Sequence, residues 1–518
     1  MRRLASLSPE DYASGLRDKR PAWGAPFRTG QETDDPDAAA SEVRVFDKLL
    51  IANRGEIAVR ILRACRELGI RSAAVYSEAD QDALHVRWAD ESYCIGAAPA
   101  AESYLSGNRI IETALRCGAQ AIHPGYGFLS ENADFAAACH RAGLVFVGPK
   151  PEAIRLMGDK AAARETMRKA GVPVLPGKHC PGNSEKDLLR AAKEVGYPLL
   201  IKATYGGGGK GMRIVGDSKG LIQAWNTARA EAEAACGSGD IYLEAFVPSA
   251  RHIEIQVLAD EHGNVVHCGE RECSVQRRHQ KLVEEAPSPA VTPAIRRRLT
   301  ALSVRAVRKV GYTSVGTMEF ILDAKGRAFF IEMNTRIQVE HPVTETVTGF
   351  DLVKEQIRVA AGERLRVRQD DIRPRGHAIE CRVNAEDPDH DFVPSPGVVE
   401  ELILPGGPGI RVDTHLFGGY AIPHYYDSLA AKIVVHADTR AEAIARMLRA
   451  LDEFHLRGVS TNTRFLTDIL KSKGFMAGAY STDLVADLVA RQQPRQRHHD
   501  LRNMARGLYA AWRHHADE

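Results

Sequence analysis

The stretch Phe329-Phe-Ile-Glu-Met-Asn-Thr-Arg-Ile-Gln-Val-Glu-His-Pro342 constrains this chain more tightly than any other. It opens as an apolar strand and then alternates polar with apolar through Asn334, Arg336, Gln338 and Glu340. If the backbone stays extended, those four side chains project from one face, because successive strand residues point to opposite sides. One face would then carry two oxygen ligands, a guanidinium and a carboxylate, a set suited to a metal, an anion and a base together. A solvated edge strand would explain the alternation, but not this mixture directly behind Phe-Phe-Ile.

A second acidic strand precedes it. Gly316-Thr-Met-Glu-Phe-Ile-Leu322 sets Glu319 in a run otherwise fit for burial, and Asp323-Ala-Lys-Gly-Arg327 reads as a hairpin turn. Glu319 would therefore face Glu332 and Asn334 on the neighbouring strand. Two carboxylates and an amide suit Mg²⁺ or Mn²⁺ rather than zinc, which prefers Cys and His. Magnesium is commonly shared with substrate phosphates. A phosphate cradle is legible upstream, where a strand ending at Lys202 meets Gly206, Gly207, Gly208 and Gly209, followed by Lys210. Glycines let backbone N–H groups approach phosphate oxygens closely. Gly211 follows Lys210 where a P-loop needs Ser or Thr, and a strand follows where a P-loop has a helix. Lys160, in Met157-Gly-Asp-Lys160, stands where a helix begins.

From Lys48 to Gly148 strand and helix patterns alternate. Lys48–Ala52, Ser72–Tyr76, Ala119–His123 and Leu144–Gly148 read as strands, and Glu56–Leu68 as a helix with Ile57, Ile61, Leu62, Cys65 and Leu68 on its apolar side. The pattern predicts a parallel sheet with helices on both faces. It lacks G-x-G-x-x-G, the main requirement for a dinucleotide dehydrogenase. Arg251–Leu258 alternates and aligns His252, Glu254 and Gln256 on one face, which a surface strand would also do. Further on, Ala378–Val383 and Ala430–Val435 read as strands and Thr439–Leu451 as a helix.

The 518 residues are enough for about three or four domains. Lys plus Arg (69) nearly balance Asp plus Glu (67), so no bulk field favours nucleic acid or an anionic membrane. No apolar run approaches the roughly 18 residues of a membrane span. Nine cysteines without CxxC spacing suggest reduced thiols in a cytosolic chain, with Cys273 a packed small residue. Residues 1–44, rich in Pro and mixed charge, read as a disordered extension, and the Arg- and His-rich residues 491–518 as a fraying tail.

Six motifs in series complete the reading: Ile51-Ala-Asn-Arg-Gly-Glu-Ile57, His123-Pro-Gly-Tyr-Gly-Phe-Leu-Ser-Glu-Asn132, Met157-Gly-Asp-Lys160, the tetraglycine flap, Glu270-Arg-Glu-Cys-Ser-Val-Gln-Arg-Arg-His-Gln-Lys281 and Glu332–His341. Their order and content resemble biotin carboxylase, an ATP-grasp enzyme, over roughly residues 45 to 490. The resemblance implies an α/β and α+β multidomain fold. Its parts would be a Rossmann-like N-terminal domain at 45–148, an ATP-grasp domain at 149–375 with a mobile glycine-rich lid at about 174–246, and a mixed C-terminal domain at 376–490.

The same resemblance implies the chemistry. Bicarbonate, activated by the γ-phosphate of ATP as carboxyphosphate, would deliver CO₂ to biotin. Lys160, Lys202, the four glycines, Glu244, Val247, His252, His279, Glu319 and Glu332 would meet MgATP, with Glu319, Glu332 and Asn334 on Mg²⁺ or Mn²⁺. Lys281, Arg336, Gln338, Val339 and Glu340 would hold bicarbonate, Glu340 as general base. Tyr126, Phe128, His252, Gln276 and Arg382 would line the biotin pocket, Arg382 stabilising the oxyanion of the deprotonated ureido group. No methionine precedes a lysine, so the Met-Lys biotinylation signature is absent. Biotin would therefore arrive on a carrier protein in trans, with a carboxyltransferase subunit completing a cytoplasmic complex built on a homodimer. The parent would be an acetyl-CoA carboxylase by default, or a pyruvate or other 2-oxoacid carboxylase. A non-biotin ATP-grasp ligase and an inactive nucleotide-binding module are the remaining alternatives.

Overall fold

The computed structural model describes residues 45–180, 184–203, 212–236 and 239–491. The extension at 1–44, the segment Gly206–Gly209 with Lys210, and the chain beyond 491 lie outside the described residues.

The first sheet is parallel, in the order Glu91–Gly96, Arg71–Ser77, Lys48–Ile51, Ala121–His123, Val145–Phe146. Leu49, Leu50 and Ile51 are wholly buried, as a central strand covered on both faces requires. Helix Gly55–Glu67 packs Ile57, Ile61, Leu62 and Cys65 into the core beneath it. The strand Glu91–Gly96 is not legible from the sequence: it is a partly exposed edge whose Glu, Ser and Tyr give no apolar run.

The second sheet has eight antiparallel strands, in the order Ala328–Asn334, Ser314–Leu322, Arg251–Ala259, Val265–Arg277, Gln280–Ala286, His377–Asn384, Leu429–Ala437, Ile410–Thr414. It runs unbroken past residue 375, because Gln280–Ala286 pairs directly with His377–Asn384. A third, four-stranded sheet (Gly177–Cys180, Ile241–Ala245, Leu199–Ala203, Arg213–Val215) packs on helices Glu185–Val195 and Leu221–Cys236 around Leu188, Ile201, Trp225 and Leu243.

One expectation changes. The strand beginning at Ala328 stops at Asn334, and Glu340 becomes the N-cap of helix His341–Thr348, so Asn334 to Glu340 is not one extended face. Pro342 in the first helical turn, with its fixed φ and missing N–H, favours the helix start over a continued strand. The face carrying His252, Glu254 and Gln256 is buried, which sets it apart from a surface strand.

On the far side of the large sheet, Glu285 is wholly buried. It accepts hydrogen bonds from Arg440 Nε (2.7 Å) and Nη2 (3.0 Å) and from the Tyr480 hydroxyl, and lies 2.6 Å from His377 Nε2. Burial alone would raise its pKa, but His377 and Arg440 outweigh it and hold the carboxyl below its ordinary 4.5. Its contribution to stability is therefore complete above pH 4.5 and is lost as the pH falls through the lowered value. Glu285→Gln should cost about 3 kcal/mol at neutral pH, read as a lower urea midpoint. The gap to the wild type should narrow below pH 4.5; a gap that stays constant with pH would rule out a charge-dependent role.

Candidate active site

Strand register builds the acidic row. Glu254 stands opposite Glu319, and Glu319 opposite Glu332, on three adjacent strands. Lys281, on the strand Gln280–Ala286, reaches across and donates to Glu254 Oε1, to Glu340 Oε1 at 2.6 Å and to Glu319 Oε1 at 3.2 Å. Glu319 also accepts from Asn334 Nδ2 (2.7 Å) and Gln338 Nε2 (2.8 Å), and His252 Nε2 lies 2.9 Å from its other oxygen. Burial pushes the Glu319 carboxyl up, yet Lys281 and His252 hold it far below the usual carboxylate range. Glu332 moves the other way, raised by burial and by the negative charge of Glu319. The neighbouring carboxylates of Glu319 and Glu332 fit a hard divalent cation, which would relieve that repulsion, and Asn334, whose N–H now faces Glu319 and whose oxygen faces Arg336, would turn its amide over to join them.

Two arginines flank the row. Arg336 donates from Nε to Glu131 Oε2 (2.9 Å) and from Nη2 to Asn334 Oδ1 (2.8 Å). Arg382 donates from Nε to Glu284 Oε1 (2.6 Å) and from Nη2 to Glu340 Oε2 (2.8 Å). Glu340 is thus gripped by Lys281 on one oxygen and Arg382 on the other. Despite burial, these cations and Arg271 keep it well below the ordinary carboxylate value, ionised across the physiological range. Glu284 has been pushed up to about 7, by burial above all. Arg271, without solvent exposure, donates to Glu254, Gln256, Thr317, Thr344 and Gln338, fixing the back wall.

The residues expected to meet nucleotide are divided between the third sheet, the helix before it and the large sheet. Lys202 Nζ and Arg164 Nη1 both donate to the buried Glu244, one to each carboxylate oxygen. Val247 lies two residues beyond the strand Ile241–Ala245. Lys160 opens helix Lys160–Lys169, capped by Asp159, and its charge is felt at Glu332. His279 sits at the exposed tip between Val265–Arg277 and Gln280–Ala286, with φ +67°. Gln276 Nε2 lies 3.4 Å from His252 Nδ1. Tyr126 donates to Glu56 and, with half-buried Phe128, lines a cavity of about 140 Å³ that also meets Asp427 and Leu429. Phe128 stacks on Tyr104 at 5.0 Å between ring centroids.

The structure therefore brings Lys281, Glu319, Asn334, Arg336, Gln338, Glu340, Arg382 and His252 into one hydrogen-bonded cluster, with Glu332 across the register from Glu319. Tyr126 and Phe128 stand at a separate cavity next to Glu56. Sequence reasoning gave no role to Glu131, Arg164, Arg271 or Glu284. Glu131 and Arg271 fall within two of the six motifs and carried a signal; Arg164 and Glu284 carried none, since their partners are 80 and 98 residues away.

Three family descriptions tile the chain: "Biotin carboxylase, N-terminal domain" over residues 45–154, "Carbamoyl-phosphate synthase L chain, ATP binding domain" over 159–368, and "Biotin carboxylase C-terminal domain" over 380–487. The biotin carboxylase of a Nostoc species is 55% identical over 443 residues, covering 86% of this chain and 99% of the relative. A pyruvate carboxylase subunit of Methanothermobacter thermautotrophicus is 51% identical over 441 residues, covering 85% and 90%. Among solved structures, the biotin carboxylase domain dimer of Hydrogenobacter thermophilus 2-oxoglutarate carboxylase, in complex with MgADP, ADP and bicarbonate, superposes with a TM-score of 0.84 at 51% identity. That match covers 86% of this chain and 98% of the other. The folds, the site and these matches agree: the chain belongs to the biotin carboxylase family.

Proposed function

We propose that this chain carboxylates the biotin group of a separate carrier protein, using ATP and bicarbonate, as the first half-reaction of an acyl-CoA carboxylase with acetyl-CoA as final acceptor. The observation that carries the reading is the grip on Glu340. One base is held between Lys281 and Arg382, on the loop that also presents Arg336 and Gln338, beside the paired carboxylates Glu319 and Glu332. A non-biotin ATP-grasp ligase would need the carboxylate pair but not that base between two cations.

Glu319, Glu332 and Asn334 would hold Mg²⁺ or Mn²⁺, which supplies charge neutralisation on the phosphate oxygens. Lys160, Lys202, the glycines Gly206–Gly209, His252 and His279 would contact the nucleotide, with Glu244 and Val247 at its adenine end. Arg336 presents a planar fork to bicarbonate, with Lys281, Gln338 and the Val339 backbone around it. Glu340 takes the bicarbonate proton. Its low pKa makes it a weak base while both cations rest on it, but an anion bound beside Lys281 and Arg382 draws their charge away and raises its basicity. Arg382 then faces the oxyanion that develops on biotin, with His252 and Gln276 on the same side, while Tyr126 and Phe128, at the separate cavity beside Glu56, would meet the rest of the biotin group. The carrier acts in trans, a carboxyltransferase completes the reaction, and the chain works as a homodimer. Among the described residues no helix is long and apolar enough to cross a membrane. A 2-oxoacid carboxylase is the second reading for the parent complex, favoured by relatives that belong to pyruvate and 2-oxoglutarate carboxylases.

Phosphate release from ATP by the purified chain should require bicarbonate and rise with free biotin; ATP cleavage indifferent to both would sink the reading. Lys202→Ala should weaken MgATP binding about 10- to 100-fold, the worth of one charge-assisted contact, and an unchanged Kd by calorimetry would remove it from the nucleotide site. Arg382→Ala should lower carboxybiotin formation by about 10²–10³ while MgATP still binds, whereas Glu340→Gln should suppress phosphate release itself. If the two variants lose phosphate release and carboxybiotin in the same ratio, the assigned division of labour is wrong.

A further inference from the structure

The loop bearing Arg336, Gln338 and Glu340 is tied from behind by a residue outside all six motifs. Lys432, on the strand Leu429–Ala437, has no solvent exposure at all. Its ammonium donates to the Val339 carbonyl at 2.9 Å, lies 2.9 Å from Glu56 Oε1, and is 3.9 Å from Asp413 Oδ2. Val339 immediately precedes Glu340, so a shift of that carbonyl turns the peptide that sets the base. On the other side, the same Glu56 oxygen accepts the Tyr126 hydroxyl at the wall of the 140 Å³ cavity. Asn53 Nδ2 pins the backbone there, donating to Tyr126 O at 2.8 Å and Pro124 O at 2.7 Å.

Stability alone does not account for this arrangement. Exchanging a buried ion pair for apolar side chains of similar volume is often neutral or stabilising. What an apolar pair lacks is direction: an ammonium with three N–H donors holds the Val339 carbonyl and the Glu56 carboxylate at once. We infer that Lys432 is a positioning residue, the centre of a strut Tyr126–Glu56–Lys432–Val339 that sets Glu340 according to the state of the Tyr126 pocket. The inference rests on the proposed function, which places bicarbonate at Glu340 and biotin at Tyr126.

The test is a double-mutant cycle on the full chain, with KM for bicarbonate and Kd for MgATP measured in wild type, Lys432→Met, Tyr126→Phe and the double variant. Lys432→Met should raise KM for bicarbonate about tenfold and Tyr126→Phe about threefold, both leaving Kd for MgATP within about twofold, with the double variant no worse than Lys432→Met alone. Effects that multiply, or a Tyr126→Phe variant with an unchanged bicarbonate KM, would overturn the strut. Because Lys432→Met leaves Glu56 buried without its partner, Glu56→Gln/Lys432→Met replaces it if it fails to fold. Recovery of both thermal midpoint and bicarbonate KM in that charge-free pair would reduce Lys432 to a structural counter-ion and overturn the proposal. A wild type without bicarbonate-dependent ATP cleavage would instead refute the functional reading beneath it.

Discussion

Three carboxylates, those of Glu254, Glu319 and Glu340, converge on the ammonium of Lys281 in a site nearly closed to water. Taken out of solvent, each of these acids would prefer to be protonated. The lysine divides them: Glu319 and Glu340 stay ionised, while burial wins at Glu254 and raises its pKa. A single amine thus joins the strand that carries Glu319 to the loop that carries Glu340. The surrounding hydrogen bonds from Asn334, Gln338, Arg271 and Arg382 are directed by where that amine holds the carboxylates.

What was legible in the sequence follows the range of the physics involved. Strand alternation acts between neighbours, so the Glu319–Glu332 pairing, the Asp323 turn and the face of His252, Glu254 and Gln256 were all readable. The extended course expected from Asn334 to Glu340 was wrong. The alternation there is real, but Pro342 begins a helix and Glu131 captures the Thr335 N–H, so a bend delivers the same side chains to one site by another route. Arg382 lies outside the six motifs and was assigned only through the family resemblance as a whole, and its restraint by Glu284 was invisible. Lys432 reads as one polar residue in an apolar strand, and its partners Glu56 and Val339 lie 376 and 93 residues away.

Arg336 illustrates a division between holding and releasing. Glu131 comes from the segment after the parallel sheet's fourth strand and holds the guanidinium through Nε, while Asn334 takes Nη2. Any anion that bound this guanidinium would compete with both, and a planar oxyanion able to match the fork would be favoured over a spherical one of equal charge. Glu284 plays a related part behind Arg382. Burial raises its pKa despite the neighbouring Arg382, so it holds that arginine less firmly than a carboxylate at its ordinary value would.

The eight-stranded sheet makes the polypeptide modular in sequence but not in folding. A fragment ending near residue 375 would leave Gln280–Ala286 as a bare edge, its inner neighbour Val265–Arg277 still in place and its outer neighbour His377–Asn384 gone. Such an edge, carrying the alternating Leu282 and Glu284 of a buried strand, is a template for pairing with other chains. Recombining this region between related enzymes would thus call for a crossover outside the sheet, because the boundary near residue 375 that the family resemblance implies passes between two hydrogen-bonded strands.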